Sequence, residues 1–234
     1  MNSPIPNPNL ARLADAAKKL GPLLDRIAFV GGCVTGLLLT DPAAAPVRPT
    51  FDVDAIVAIA SYAEFTELET WLRELGFHQP LAESAPICRW QHEALILDLI
   101  PTDPSILGFG NTWYRPALEN AQSATVGEYR VRLITAPYFV ATKLEAFHGR
   151  GKNDFRMSHD LEDIVTVVDG RAELADEIHA APPDLREYLS REFGALLSNR
   201  DFIEAMPGHL LPDVASQQRL NIVIKRMQQF VTEG

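Results

Sequence analysis

The chain has 234 residues, 47% of them hydrophobic and 22% charged, with a formal net charge of −10. This length and composition allow a sizeable core in one large domain or two modest ones. The acidic balance argues against a generic nucleic-acid coat, whose phosphate contacts need a basic surface.

Only two cysteines occur, Cys33 and Cys88, with no Cys/His cluster, so neither a disulfide framework nor a structural zinc site is expected. No apolar run approaches the roughly 18 residues of a membrane span. The polar, proline-rich stretch Met1 to Asn9 is a lead-in and does not read as a signal peptide. A soluble, cytoplasmic protein is the expectation.

In chain order, the apolar stripe Leu10, Leu13, Ala17 and Leu20 predicts a short helix closed by Gly21-Pro22. Arg26 to Val30 reads as a buried strand running into the turn Gly31-Gly32, and Val34 to Thr40 as a helix after it. Asp41 to Pro49 holds three prolines and must be a loop. Phe51 to Ile59 is a strand. Ser61 caps a helix through Leu75, with Glu64 completing a capping box. Two strands, Ile87 to His92 and Ala94 to Ile100, suit a hairpin. Pro101 to Pro116 is irregular, and Tyr129 to Ile134 alternates as a half-exposed strand does.

From Pro137 onward only helical patterns remain: Pro137 to His148, Ser158 to Val168, Arg171 to Ala180, Pro183 to Leu197 and Asp213 to Val231. The expected organisation is an α/β core over 1–136 and a helical domain over 137–234.

The chemistry concentrates in three places. Asp52 and Asp54 are two apart on a strand, so they share a face. Carboxylates that close repel unless a cation lies between them, and the apolar run behind them makes an uncompensated charge expensive. Magnesium, a hard ion that takes carboxylate and phosphate oxygens, resolves the conflict. Strand-end caps or Lys/Arg partners are the plainer alternative. Asp98 stands in the apolar strand Leu95 to Ile100, where a lone carboxylate also needs a partner. Gly31-Gly32 allows close backbone approach, and a helix N-terminus behind it would favour phosphate.

The ordered set of strand, Gly-Gly, Asp-x-Asp strand and later Asp strand resembles the polymerase-β-like nucleotidyltransferase superfamily. In its finer pattern it is similar to the AbiEii/AbiGii-type nucleotidyltransferases, toxins of bacterial toxin–antitoxin and phage-defence systems. Arg48-Pro49-Thr50-Phe51-Asp52-Val53-Asp54 matches the Arg-x-[ST]-x-Asp-x-Asp element of that family. Lys143 matches its helix lysine, and Asp160 and Asp163 its final Asp-x-x-Asp helix. The resemblance covers roughly residues 28 to 168. Three departures stand out: Cys33 where Ser or Thr is usual, a long gap from Gly32 to Asp52, and His159 before the last element.

The resemblance implies an α+β nucleotidyltransferase-like mixed sheet with flanking helices, followed by a helical C-terminal half. It implies Mg²⁺ (or Mn²⁺) held by Asp52, Asp54 and Asp98, and an NTP held by Gly31, Gly32, Cys33, Arg48, Thr50 and Lys143. Asp98, Lys143 and Asp163 would join the two other aspartates in catalysis, with Asp163 preferred over Asp160 because the helix dipole already explains Asp160. The implied acceptor is RNA, a tRNA end or a protein, and the implied partner a cognate antitoxin. Arg150, Lys152 and Arg156 form a small basic cluster that would suit phosphate or read simply as a solvated loop. A catalytically silent nucleotide-binding or protein-interaction module is the alternative.

Overall fold

The computed structural model describes residues 7–82, 84–150 and 154–231. They form two compact units. One runs through Gly36 and resumes over Arg48–Thr135; the other comprises Leu37–Val47 and the described residues from Ala136 on. The protein is α+β, with a mixed sheet in the first unit and helices throughout the second. Among the described residues no helix is long and apolar enough to cross a membrane.

The first unit opens with helix α1 (Pro8–Leu20), capped by the Asn7 side chain, which accepts from Asn9 N. Its apolar stripe Leu13, Ala16, Ala17 and Leu20 is fully buried, with neighbours on several strands of the sheet. Each buried leucine of this kind stabilises by about 1.5–3 kcal/mol. A 3₁₀ turn (Gly21–Asp25) leads into β1 (Ile27–Val30).

After β1 comes another 3₁₀ stretch (Gly32–Leu37), where sequence predicts an α-helix from Val34. The segment is short, and β-branched Val34 and Thr35 beside Gly36 favour no further α-turn.

Strand β2 (Val53–Val57) is shorter than its apolar run suggests, so Asp52 lies just ahead of it. Helix α2 (Tyr62–Glu74) starts at the expected cap: Ser61 accepts from Glu64 N, and Glu64 Oε2 accepts from Ala60 N at 2.9 Å. The hairpin partners β3 (Arg89–His92) and β4 (Leu95–Pro101) turn through Glu93 and Ala94. Helix α3 (Pro104–Leu107) and the start of α4 (Tyr114–Glu119) fall in the stretch expected to be irregular, Pro101 to Pro116. The edge hairpin β5 (Gln122–Val126) and β6 (Tyr129–Leu133) completes the sheet.

The strand order is β3-β4-β2-β1-β6-β5. Parallel pairing joins β2 to β4 and β1 to β6; the remaining neighbours are antiparallel. The central strands β1, β2 and β4 are almost wholly buried, which is why their sequences are continuous apolar runs.

The second unit contains α5 (Ala136–Arg150), α6 (His159–Gly170), α7 (Leu174–His179), α8 (Pro183–Ser198), α9 (Arg200–Ala205), a 3₁₀ turn (Met206–His209), α10 (Val214–Gln218) and α11 (Leu220–Gln229). The single helix expected over Asp213 to Val231 is thus two helices that break at Arg219, and α9 lies in a stretch that had no helical pattern of its own. Half-buried Phe155 meets Phe147 at a tilt and Phe202 edge to face, and Phe193 meets Phe230 edge to face.

Leu37–Val47 joins this unit through Gly170. The Gly170 carbonyl accepts from both Thr40 N and Asp41 N, and a Cβ there would meet Leu39 Cδ2 at 2.7 Å. Arg219 fixes the same corner, with bonds to both carboxylate oxygens of Asp169 and to Asp41.

Candidate active site

The sheet register lines up one row of side chains. Arg89 on β3 is paired with Asp98 on β4, Asp98 with Asp54 on β2, and Asp54 with Val30 on β1. Residues that are paired across neighbouring strands share a face. Two carboxylates and a guanidinium therefore stand side by side, next to the strand that runs into Gly31.

Gly31 adopts φ of +71°, a left-handed conformation that favours glycine. A Cβ at Gly31 would also fall inside the Asp54 carboxylate, 2.7 Å from Cγ. The glycine is required twice over: to turn the chain and to make room for Asp54. Gly32 follows, buried, at the start of the 3₁₀ stretch. That stretch is too short to carry the dipole of a full helix, so a phosphate cradle there would have to rest on local N–H groups.

Cys33 Sγ donates to Val30 O at 3.2 Å and is buried. Its thiol therefore packs inward, at the position where the resemblance led to an expectation of Ser or Thr. Thr50 is also buried. Its hydroxyl donates to Asp52 O, and its N–H donates to the Asn9 side chain at 2.9 Å. Asn9 reaches across the same segment with its amide, donating to Arg48 O at 2.9 Å. One fully buried asparagine thus clips both ends of Arg48-Pro49-Thr50 and fixes the approach to Asp52.

Arg89 is the residue that sequence reasoning missed. Its Nε donates to Asp98 Oδ1 at 2.8 Å and its Nη2 to Asp98 Oδ2 at 2.7 Å. The same Nη2 donates to Asp52 Oδ2 at 2.9 Å. This is a bidentate clamp on one carboxylate with a bridge to a second, the geometry that a planar guanidinium suits. Its signal was present in the hairpin: counting back from a two-residue turn at Glu93-Ala94 sets Arg89 opposite Asp98. The bonds to Asp98 hold the Arg89 guanidinium more firmly charged than usual. Beside it, burial and the Asp98 charge push the Cys88 thiol up to about 12, so Cys88 is an inert filler.

Three aspartates offer hard oxygen donors, the set that Mg²⁺ or Mn²⁺ takes. In donor chemistry the residues fit such an ion. Among the described residues, however, no trio of acidic, histidine or cysteine side chains stands close enough to enclose a metal as it is. Arg89 already bridges Asp52 and Asp98.

Lys143, Asp160 and Asp163 make a separate cluster within the second unit. Lys143 Nζ lies 3.1 Å from Asp160 Oδ1 and 2.6 Å from Asp163 Oδ2, all three buried. Arg150 adds two bonds to Asp160, at 3.0 and 2.8 Å. Burial raises the Asp160 pKa, but Arg150 and Lys143 outweigh it and hold the carboxyl below its ordinary value. Arg150 therefore belongs to this ion-pair network, and Lys152, its companion in the basic cluster, lies outside the described residues. The Arg156 backbone N–H donates to Asp154.

No protein-family model matches the chain, and no curated protein matches it. Solved structures do resemble it. An antigenic nucleotidyltransferase-like protein from Paracoccidioides brasiliensis is 18% identical, covering 77% of this chain and 91% of its own, with a TM-score of 0.47. The antibiotic-resistance factor ANT(2'')-Ia is 14% identical over 82% of this chain and 96% of its own, with a TM-score of 0.48. JHP933 from Helicobacter pylori is 11% identical over 98% and 93%, with a TM-score of 0.49. These are likenesses of chain trace, and the chemistry has to be argued from the side chains.

Proposed function

We propose that the chain is a nucleotidyltransferase that moves a nucleoside monophosphate from an NTP to an acceptor hydroxyl, with Asp52, Asp54 and Asp98 holding Mg²⁺ or Mn²⁺. The observation that carries this reading is the row Asp98–Asp54 across β4 and β2, set against a glycine turn that Asp54 fills. A structural sheet has no use for two adjacent carboxylates in its central strands unless they meet cations.

In this reading the acceptor oxygen attacks the α-phosphorus, the bond to the β-phosphate oxygen breaks, and pyrophosphate leaves. Asp98 would take the acceptor proton or orient the hydroxyl. Gly31 and Gly32 would let the triphosphate approach the backbone, and Arg48 and Thr50 would shape the segment that presents Asp52. A bound divalent ion would supply charge neutralisation on the phosphate oxygens. Rate enhancement in such a site comes mainly from positioning and preorganised charge. The resemblance also assigns a phosphate contact to Lys143 and a catalytic role to Asp163, which pair with each other inside the second unit.

The finer reading follows the family resemblance: a toxin of a toxin–antitoxin pair, with a tRNA end, another RNA or a protein as acceptor. Incubation with each α-³²P-labelled NTP, Mg²⁺ or Mn²⁺, and tRNA or protein acceptors tests it. Label transferred to one acceptor class, with pyrophosphate released, supports transfer and names the acceptor.

One observation favours a second reading, a catalytically silent nucleotide-binding or interaction module. Arg89 already neutralises Asp52 and Asp98, as a structural ion pair would. Triphosphate binding without pyrophosphate release marks that case.

A further inference from the structure

The register places a guanidinium where a metal ion would compete for the same oxygens. Both Asp98 oxygens accept from Arg89, and Asp52 Oδ2 accepts from the same Nη2. Arg89 is partly shielded, its side chain 25% exposed, and β-sheet pairing fixes its position opposite Asp98. An arginine does not shed its proton in proteins. Its charge is therefore permanent, and a cation that takes the same carboxylate oxygens has to displace the guanidinium from them.

We propose that Arg89 is the resident counter-ion of this carboxylate row, which holds Asp52 and Asp98 in place and is displaced when a divalent cation binds. This rests on reading the row as a metal and nucleotide site. Arg89 is then a positioning residue: it keeps neighbouring carboxylates together in the absence of metal, and its release opposes metal uptake. The two roles that Arg89 could play make opposite predictions. A purely structural arginine, once removed, leaves a distorted site that binds metal more weakly. A resident counter-ion, once removed, leaves two carboxylates in want of a cation, and metal binds more tightly.

The test is Mn²⁺ binding in the absence of nucleotide, followed by electron paramagnetic resonance and calorimetry, on wild type, Arg89→Met, Arg89→Lys and Asp52→Ala/Asp54→Ala. Circular dichroism checks each fold. Arg89→Met is expected to bind Mn²⁺ roughly tenfold or more tighter than wild type, because the three charge-assisted hydrogen bonds of Arg89 no longer have to be broken. Arg89→Lys is expected to fall between them, since an ammonium cannot clamp Asp98 with a planar fork. It also carries the test if the methionine variant does not fold. Wild type that binds Mn²⁺ while both folded Arg89 variants bind it equally or more weakly overturns the proposal and leaves the metal site standing. If neither wild type nor any folded Arg89 variant binds more Mn²⁺ than Asp52→Ala/Asp54→Ala, the metal reading and this proposal fall together.

Discussion

Gly31 and Asp54 occupy each other's space: the Asp54 carboxylate fills the volume that any side chain at Gly31 would need. The turn after β1 and the Asp-x-Asp strand are therefore one unit, although about twenty residues separate them in the chain. Gly31→Ala is predicted to cost about 1–2 kcal/mol for the left-handed backbone alone, and more because Asp54 must move. Chemical denaturation reads the first effect. Mg²⁺-dependent nucleotide binding reads the second and should fall out of proportion to the lost stability. A variant that loses stability but keeps wild-type binding contradicts the coupling.

Asn9 stitches the segment ahead of Asp52, with its amide on Arg48 O and its carbonyl taking Thr50 N. Asn9→Ala leaves two shielded backbone groups unmet at those bonds, a loss of about 2–3 kcal/mol. Urea unfolding monitored on the sheet unit measures it. A change near zero would mean that water replaces the amide without cost.

Much of this arrangement was legible in the sequence, and the reasons are specific. Ile27 to Val30, Val53 to Val57 and Leu95 to Ile100 are central strands buried on both faces, so each is an unmistakable apolar run. The Ser61 cap was readable because capping is local. Gln122–Val126 was not: it is an edge strand with Val126 as its one buried residue, held by pairing with β6 rather than by its own pattern. The helical expectation after Gly32 failed because two glycines and two β-branched residues leave room only for 3₁₀ turns. Asp52, Asp54 and Asp98 stood out as isolated charges in apolar surroundings, whereas Arg89 and Asn9 did not. Their roles depend on what lies opposite them in space, and residue type alone carries no such information.

Lys143 sits between Asp160 and Asp163 in the second unit. Lys143→Met is predicted to destabilise by about 3–5 kcal/mol, because buried carboxylates lose that ammonium. A double-mutant cycle with Asp163→Asn isolates the pairwise part. If Lys143→Met is as stable as wild type, the cluster is not what holds α5 and α6 together.

His209 gives a pH dependence with a defined sign. Burial lowers its pKa, and the Phe155 carbonyl 2.6 Å from Nε2 opposes that only in part. The folded state therefore resists protonation more than the unfolded chain, whose histidine titrates near about 6.5. The stabilising contribution is complete above that value and is lost as pH falls below it. Thermal unfolding from pH 7.5 to 5.5 should show wild type losing more than His209→Gln. Asp160 adds a separate loss at lower pH. Its depressed pKa makes its contribution present above the ordinary carboxylate value of about 3.9 and lost as pH falls through the folded value.

The central claim is that Asp52, Asp54 and Asp98 bind a metal–nucleotide complex. The most direct measurement is a thermal-shift titration with ATP, GTP, CTP and UTP, each with and without Mg²⁺, on wild type and Asp52→Ala/Asp54→Ala. A ligand that binds only the native state raises its melting temperature. With the complex held by these aspartates, at least one nucleotide gives a shift that needs Mg²⁺ and vanishes in the double variant. Identical shifts in wild type and the folded double variant, or none with any nucleotide, would contradict it.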